Sequence, residues 1–203
     1  MRRCWSCHGP APDAELFCPT CRALQPPLAL DHFRRLGLER SYEVDRAELD
    51  RSYFRYQRLL HPDRFATRTA KERALSLQHA TGINDAYRTL GDPLRRAEYL
   101  LSLHGRTVNA GAETIDDPDL LGESMERREA LARAEDGAAV EAILAAASAD
   151  GDACRGALTA AFAAGDIERA AKTAVRLRYL HTLADVARAE RRRLGAGAAA
   201  ATL

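Results

Sequence analysis

The stretch RYQRLLHPDRF, residues 55–65, breaks a helical pattern at the tripeptide His61-Pro62-Asp63. Proline has no amide proton and disfavours helical geometry in the residue before it, so a helix is expected to end at about Leu60. Before that point, apolar residues recur at steps of three and four, the spacing of one helix face. They are Leu49, Tyr53, Tyr56 and Leu60. The tripeptide therefore predicts a rigid corner at the end of an amphipathic helix that starts near Asp45.

A second amphipathic pattern follows the tripeptide over about residues 70–90. Its apolar row is Ala80, Ile83, Tyr87 and Leu90. Capping boxes are predicted at both helix starts, because each has an N-cap residue followed three positions later by Glu. The two pairs are Asp45 with Glu48 and Thr69 with Glu72. Two amphipathic helices joined by a short segment predict an antiparallel hairpin with the tripeptide at its tip.

Four arginines border the tripeptide and predict a basic surface around it. They are Arg51, Arg55, Arg58 and Arg64, of which the first three share one helix face. Exposed positive charge suits an acidic partner and acts mainly on the rate and specificity of encounter. Two other interpretations are an ordinary turn and an acid–base pair of His61 with Asp63. Since no nucleophile or pocket motif accompanies the pair, we expect no enzymatic activity.

Four of the five cysteines form two C-x-x-C pairs near the start of the chain. They are Cys4, Cys7, Cys18 and Cys21. This spacing lets four thiolates hold one tetrahedral ion and predicts a single structural zinc, whose binding would stabilise a segment with little apolar surface. A redox dithiol and a bound iron are the alternatives, although the βαβ pattern of a thioredoxin-like site is absent. His8 is expected to be a bystander, because four thiolates complete the site.

Residues 119–194 are rich in Ala, Leu and Arg and lack the alternation of β-strands. Three helices are predicted at about 119–135, 138–163 and 166–193, and they fit an antiparallel bundle. The whole chain is therefore predicted to be all-α. Cys154 lies in an apolar row of the middle helix, where we expect an inert buried thiol.

The first of these three helices carries a stripe of Leu121, Met125 and Glu129 at steps of four, with Glu126 beside it. Its core-facing row is expected to use Leu120 and Leu131 instead. An apolar pair rimmed by carboxylates on a helix surface is typical of a partner site. The alternative is a solvated or partly buried face without a partner.

Composition and charge exclude several function classes. The 203 residues are 46% hydrophobic and 29% charged, as in soluble globular proteins, and the net charge of +1 predicts neither a nucleic-acid partner nor a membrane partner. The most apolar stretch, residues 138–147, contains Glu141 and is too short to span a bilayer. Because no apolar signal segment follows Met1, we expect a cytoplasmic protein; a mitochondrial matrix location is less favoured, since the cysteine pattern already begins at Cys4.

Several segments resemble one known family. LDHFRRLGL (30–38), RYQRLLHPDRF (55–65) and INDAYRTLGDPLRRAEYLL (83–101) resemble a J-domain. RAEYLLSLHG (96–105), LLGESMERREAL (120–131) and VRLRYLHTL (175–183) are similar to the HscB/Jac-type co-chaperones of iron–sulfur cluster assembly. The resemblance covers about residues 28–194. A similar tetracysteine module precedes the J-domain in the eukaryotic-type members.

The resemblance implies two partners. In that family the J-domain stimulates ATP hydrolysis by a DnaK/HscA-type chaperone, so His61, Pro62 and Asp63 would trigger hydrolysis and the four arginines would dock. The C-terminal helices of the family hold an IscU-type iron–sulfur scaffold protein. The implied scaffold-binding residues are Leu121, Met125, Glu126, Glu129 and Tyr179. Gly122 departs from the family, which often has a larger apolar residue there, and Gly weakens a helix by roughly 1 kcal/mol relative to Ala.

These patterns together predict five segments: a zinc-binding module (1–27), a J-domain (28–105), a linker (106–118), a scaffold-binding three-helix domain (119–194) and a flexible tail (195–203). The main alternative is a general J-protein for unfolded clients, which would need a broad apolar groove. A zinc-ribbon nucleic-acid binder is disfavoured by Asp13 and Glu15 in the cysteine loop. A zinc hydrolase would need an open coordination position. Weak self-association stays open.

Overall fold

The structure, a computed structural model, describes residues 1–13, 15–108 and 118–200, with side chains as far as residue 195. Contacts divide the chain into two compact units, Met1–Asp92 and Pro93–Leu203. The first unit contains β1 (Arg2–Arg3), β2 (Pro10–Ala11), α1 (His32–Leu36), α2 (Arg46–Leu60), a 3-10 turn (Pro62–Phe65) and α3 (Ala70–Gly91). The second contains α4 (Pro93–Leu103), α5 (Pro118–Ala132), α6 (Gly137–Ala163) and α7 (Ile167–Ala200). The predicted all-α class is confirmed, with one small β-hairpin at the start.

Helices α2 and α3 form the predicted antiparallel hairpin. Their contacts run in opposite directions, because Gln57 of α2 donates to Asn84 of α3 at 2.6 Å, whereas Leu60, further along α2, accepts from the earlier Ser76. The predicted apolar rows face each other. Leu49, Leu60, Ala80, Ile83 and Leu90 are buried, and Tyr53, Tyr56 and Tyr87 are half-buried. Helical periodicity thus located the core of the hairpin correctly.

The two helix starts differ in their capping. Thr69 and Glu72 form the complete predicted capping box at the start of α3. At α2, the Asp45 carboxylate accepts from the amide of Ala47 at 2.9 Å, not from that of Glu48. Both amides are within reach of an N-cap side chain, and the sequence does not decide between them. Asp45 is the N-cap as predicted, but the predicted reciprocal bonding with Glu48 is wrong.

Helix α1 closes the other side of this unit. Its N-cap Asp31 accepts from the amide of Arg34 at 2.8 Å. Phe33 and Leu36 are completely buried. The helix ends at Gly37, whose φ of 68° lies in the left-handed region that favours glycine. Helix α1 packs on both α2 and α3, so three helices enclose one core.

In the second unit, α6 and α7 form a long antiparallel pair joined by a tight turn at Gly165 and Asp166. Gly165 has φ 69°, and the Asp166 carboxylate accepts from the amide of Arg169 at 3.0 Å, as the N-cap side chain of a helix does. The facing rows are mostly buried, including Val140, Ala147, Leu158, Ala170, Ala174, Leu177 and Leu180. Helix α5 packs on both α6 and α7 and completes the predicted bundle.

Helix α4 packs on α7 and so lies in the second unit. Arg178 donates to Glu98 at 2.7 Å and to the Val108 carbonyl at 2.8 Å, and Ala97, Leu100 and Leu101 are buried. The sequence places this segment in the predicted J-domain, residues 28–105, because the family resemblance runs through it. By packing, the compact unit ends at Asp92 and α4 groups with the helices that follow it, while the bounds of the J-domain stay a prediction.

Two predicted irregular segments lie at the edges of what the structure describes. Of the predicted linker, 106–118, residues 109–117 lie outside the described residues. The predicted flexible tail, 195–203, is helical as far as Ala200, and its last three residues lie outside the described part. Alanine has the highest helix propensity, so the Ala-rich tail continues α7. No helix in the described part of the chain is long and apolar enough to cross a bilayer.

We predict that Ser76→Ala lowers the free energy of unfolding by about 1–3 kcal/mol, because it leaves a buried carbonyl without its donor. Ser76 Oγ donates to the Leu60 carbonyl at 2.8 Å, and both residues are buried. Urea denaturation followed by circular dichroism would measure the change. The control is Ser102→Ala, since the Ser102 hydroxyl bonds the Tyr99 carbonyl at an exposed site and its loss should cost under about 0.5 kcal/mol. Equal effects would contradict the prediction.

Candidate functional site

The tripeptide at the hairpin tip forms an exposed corner. His61 leaves helical geometry with ψ 131°, and Pro62 opens the 3-10 turn that ends at buried Phe65. His61 Nδ1 accepts from the amide of Asp63 at 3.3 Å, and an Asp63 carboxylate oxygen lies 3.5 Å from the same nitrogen. In this geometry the neutral ring carries its proton on Nε2. The His61 side chain is 50% exposed and that of Asp63 is 89% exposed. Both groups are therefore accessible to another molecule.

The basic stripe, Arg51, Arg55, Arg58 and Arg64, is exposed over its whole length. Arg51 lies 3.9 Å from the Asp45 carboxylate, a separation at which an exposed ion pair is weak. The Arg55 guanidinium lies 4.8 Å from the Tyr56 ring. The structure thus brings together the corner and the cationic surface that the sequence predicts beside it.

A polar and aromatic network, which sequence reasoning missed, braces α2 from the side of α3. Tyr53 stacks on Tyr87 with centroids 4.1 Å apart, and Tyr53 also donates to Asn84 at 3.2 Å. Tyr87 donates to Asp50 at 2.8 Å, and this hydrogen bond raises the pKa of Tyr87. Tyr53 and Tyr87 were predicted only as core residues. Their hydroxyl groups, and the amide of Asn84, fix the position of the helix that carries the stripe.

The four cysteines of the N-terminal module meet in one cluster, as their spacing predicts. Their sulfurs all lie within 4.8 Å of one another, and the pairs Cys4–Cys21 and Cys7–Cys18 are 3.7 Å apart. A tetrahedral zinc tetrathiolate with Zn–S bonds of about 2.3 Å has sulfurs about 3.8 Å apart, so the donor set fits a single ion. Cys4 and Cys18 are buried, whereas Cys7 and Cys21 are exposed.

Two turns of the same design build the cluster. In each, the amide four residues after the first cysteine donates to its carbonyl: His8 to Cys4 at 3.0 Å and Arg22 to Cys18 at 2.9 Å. Both donors adopt positive φ, 59° for His8 and 62° for Arg22, which non-glycine residues rarely do. His8 is exposed and lies beside the cysteine cluster without being part of it. The role of His8 in the turn is therefore conformational.

The thiols influence one another's ionisation. Burial raises the pKa of Cys4, but the amides of Cys7 and Ser6 and the Gln25 side chain outweigh it and lower the pKa to about 6. For Cys7 the Gly9 amide acts to lower the pKa, yet the neighbouring thiols and burial raise it to about 11. Four thiolates at this separation repel one another strongly. A bound cation removes that repulsion, so the chemistry of the cluster suits a metal ion.

Gln25 joins the cysteine cluster to the hairpin. The side-chain amide of Gln25 donates to Cys4 Sγ at 3.3 Å and to the Ala23 carbonyl at 2.8 Å. The backbone carbonyl of Gln25 accepts from His79 Nε2 at 2.9 Å. Gln25 is completely buried and His79 is 6% exposed. Burial lowers the pKa of His79, so the ring is neutral and donates from Nε2. No motif marks Gln25, whereas His79 could have been found from its place in the buried row of α3.

The stripe on α5 is exposed as the sequence predicts. Leu121 is 47% and Met125 57% exposed, while Leu120 and Leu131 are buried in the bundle. Glu126 and Glu129 are exposed on the same helix, and Glu129 accepts from Arg133 at 2.6 Å. Apart from the backbone of α5 and the two chain neighbours of Gly122, no atom of the described residues lies within 4 Å of the position that a Cβ on Gly122 would occupy, so a larger residue would fit there.

Tyr179 does not lie on the exposed surface. It is 7% exposed, and its hydroxyl donates to the Ser124 carbonyl at 3.1 Å. The family resemblance implies that Tyr179 binds the scaffold directly. In the described structure Tyr179 lies next to the buried residues Leu177 and Leu180 of α7. Its hydroxyl bonds the backbone of α5, so Tyr179 helps to hold α5 on α7. Direct contact of Tyr179 with the scaffold stays a prediction, and a partner would have to reach a side chain that is almost fully covered in this structure.

An ion-pair cluster, also missed from the sequence, fixes α5 to both long helices. Glu123 accepts from Arg127 at 2.5 Å and from Arg176 of α7 at 2.6 Å, and Arg127 also bonds Asp150 of α6. The i,i+4 spacing of Glu123 and Arg127 could have predicted the ion pair within α5, but not the pairs with the other two helices. Cys154 is buried as predicted, and burial is the main cause of the raised pKa of its thiol.

Comparison with known proteins matches both ends of the chain to one group. The profile of the HSCB C-terminal oligomerisation domain matches residues 116–188, and that of the co-chaperone HscB tetracysteine metal-binding motif matches residues 3–25. The human iron–sulfur cluster co-chaperone protein HscB is 46% identical over 145 residues, which cover 70% of this chain and 62% of the human protein, a little under two thirds of its length.

Other similar proteins extend the match over most of the chain. The co-chaperone protein HscB homolog of Vibrio cholerae is 44% identical over 117 residues, which are 58% of this chain and 68% of that protein. The crystal structure of human co-chaperone protein HscB superposes with a TM-score of 0.89 at 37% identity and covers 93% of this chain and 98% of that structure.

We predict that Cys4→Ser with Cys18→Ser removes the ion that the wild-type chain binds, because two of the four sulfur ligands are lost. Metal analysis of the desalted protein would show about one ion per chain in the wild type and almost none in the variant. Trp5, whose indole donates to the Leu24 carbonyl at 2.7 Å, would report the loosened module by its fluorescence. His8→Asn is the matched control, because Asn tolerates the positive φ of this position, and it should keep its ion. Full metal content in the cysteine variant would contradict the site.

Proposed function

Because this chain belongs to the HscB family of iron–sulfur cluster co-chaperones, as its sequence predicts, we propose that it is a J-domain co-chaperone and not an enzyme. It binds an IscU-type scaffold protein through α5, delivers it to a DnaK/HscA-type chaperone, and stimulates ATP hydrolysis by that chaperone. The human and Vibrio relatives carry co-chaperone names, which support the general role. The partners and the stimulation of hydrolysis are the specific content of the proposal.

The exposed corner at His61, Pro62 and Asp63 is the observation that carries the proposal. The corner offers an imidazole and a carboxylate on a backbone that Pro62 and buried Phe65 hold in place. A bound protein shifts a chaperone's equilibrium only if it binds one conformation better than the other. A rigid corner can discriminate between two arrangements of a partner surface, because it does not adapt to both. It therefore suits a trigger that favours the hydrolysis-competent state.

The basic stripe supplies the docking surface for this partner. Its exposed guanidinium groups would accelerate encounter with an acidic chaperone surface and favour that partner over others. The stripe lies on α2, whose last residues lead directly into the corner. Docking along the helix therefore aligns the corner on the chaperone.

The exposed pair Leu121 and Met125 supplies the proposed scaffold site. Their apolar side chains lie among the carboxylates Glu126 and Glu129, which would exclude unsuitable partners by charge. Tyr179 and the Glu123 ion pairs hold α5 against the bundle, so little entropy is lost when a partner binds. This arrangement commits the site to one complementary protein, unlike the broad groove of a general J-protein.

Zinc is the proposed ion of the cysteine cluster, with a structural role. Four thiolates fill a tetrahedral site and leave no position for water or substrate, so hydrolytic chemistry at the metal is disfavoured. Zinc has no redox chemistry, and four sulfur ligands are its usual structural environment. Through Gln25 and His79, the loaded cluster would also stabilise the hairpin.

We predict that His61→Gln reduces stimulation of the chaperone's single-turnover ATP hydrolysis almost to the basal rate, because the corner loses its imidazole. Wild-type protein and scaffold would be titrated against a purified DnaK-like chaperone in parallel. His104→Gln is the matched control, since His104 is another exposed histidine, and it should stimulate normally. Normal stimulation by His61→Gln would remove the co-chaperone mechanism.

We predict that Leu121→Ala with Met125→Ala weakens binding to an iron–sulfur scaffold protein by about tenfold, because both exposed apolar contacts are truncated. Isothermal titration calorimetry would measure the affinity. Val186→Ala, which shortens an exposed apolar side chain of α7, is the control and should bind normally. Gly122→Leu should bind more tightly, since the added side chain has room and extends the stripe. An unchanged affinity in the double variant would argue against a scaffold site on α5.

A further inference from the structure

An exposed phenylalanine lies in the middle of the basic stripe. Phe54 of α2 is 58% exposed. Arg51 precedes it by about one helical turn and Arg58 follows it by about one turn, so the three side chains share a face, and His61 lies a further turn along. The stripe is therefore a row of cations with an aromatic ring at its centre, ending at the exposed corner.

The Phe54 ring makes an aromatic contact with the hairpin, although more than half of its surface is exposed. Phe54 contacts Tyr53 edge-on, with centroids 5.3 Å apart and planes at 62°. Tyr53 in turn stacks on Tyr87 of α3 and bonds Asn84. This series of contacts connects the exposed ring to the fixed interior of the hairpin. The contact with Tyr53 restricts the orientations of the Phe54 ring, so part of the entropy of ordering it is already lost before a partner binds.

The core does not require an aromatic residue at this position. The apolar row of α2 that faces α3 is complete without Phe54, because Leu49 and Leu60 are buried and Tyr53 and Tyr56 fill the row between them. An exposed ring on a charged helix face remains in contact with water until a partner covers it. Aromatic residues inside a charged rim are the usual energetic centres of protein interfaces.

We propose that Phe54 is the apolar anchor of the chaperone-docking face and enters an apolar recess bordered by acidic side chains on the ATP-dependent chaperone. The inference rests on the function proposed above. Two observations select this occupant: the arginines on both sides of the ring demand an acidic border, and the ring is continuous with the corner that would trigger hydrolysis. The arginines then set the encounter rate, while Phe54 sets the lifetime of the complex.

The test separates docking from triggering. Full-length Phe54→Ala, Phe54→Tyr and Phe54→Glu would be titrated into a DnaK-like chaperone, with ATP hydrolysis as the readout. Phe54→Ala should raise the half-maximal concentration by about tenfold while the rate at saturation is kept, since the corner is intact. Phe54→Glu should raise it further through repulsion from an acidic border, and Phe54→Tyr should retain wild-type docking. Thermal melting would verify that the folds are equal.

Two references make the outcome decisive. Val186→Ala removes exposed apolar surface from α7 and should dock normally. If His61→Gln abolishes stimulation but Phe54→Ala docks like the wild type, Phe54 is not the docking anchor and the proposed function stands. If His61→Gln also stimulates normally, the proposed function itself fails. If sedimentation shows self-association that Phe54→Ala abolishes, while docking is unchanged, the ring belongs to an interface between two copies and the anchor is overturned.

Discussion

The end of α2 is the constraint on which the proposed site depends. Pro62 stops the helix, so its last carbonyls have no intrahelical partner, and one of them, at Leu60, lies in the protein interior. Ser76 of α3 donates to this carbonyl and satisfies it. The corner is thus attached at its base to the opposite helix, while Phe65 is buried on its far side. Because both sides are attached, the backbone that presents His61 and Asp63 to solvent is restrained by the fold.

Helix α5 likewise carries exposed side chains on one face while its other face is packed against the bundle. Leu121 and Met125 are exposed apolar side chains that contribute little to the bundle, whereas Leu120, Leu131 and the buried Tyr179 hold the helix from below. The ion pairs of Glu123 with Arg127 and Arg176 oppose rotation of α5 on the bundle. Each proposed binding surface therefore consists of side chains that the fold itself does not need, carried on a helix that the fold holds firmly.

The tetracysteine module needs another source of stability, because so short a segment cannot bury enough apolar surface to fold alone. Four sulfurs in one cluster would repel one another as thiolates, and a cation turns that repulsion into a source of stability. The buried side-chain amide of Gln25 donates to Cys4 Sγ and to the Ala23 carbonyl, and the backbone carbonyl of Gln25 accepts from His79 of α3. These hydrogen bonds connect the cysteine cluster directly to the hairpin within one unit.

The sequence alone determined the features that depend on local spacing. Proline at 62 ended a helix, C-x-x-C pairs formed one cysteine cluster, and steps of three and four separated the buried row of α5 from its exposed stripe. Only the tertiary structure decided which polar group meets which across the fold. It buried Tyr179, paired Ser76 with Leu60, placed α4 against α7, and joined Gln25 to His79. The physical reason is that periodicity reports how a residue is oriented on its own helix, whereas a hydrogen-bond partner distant in the chain is set by how the helices pack.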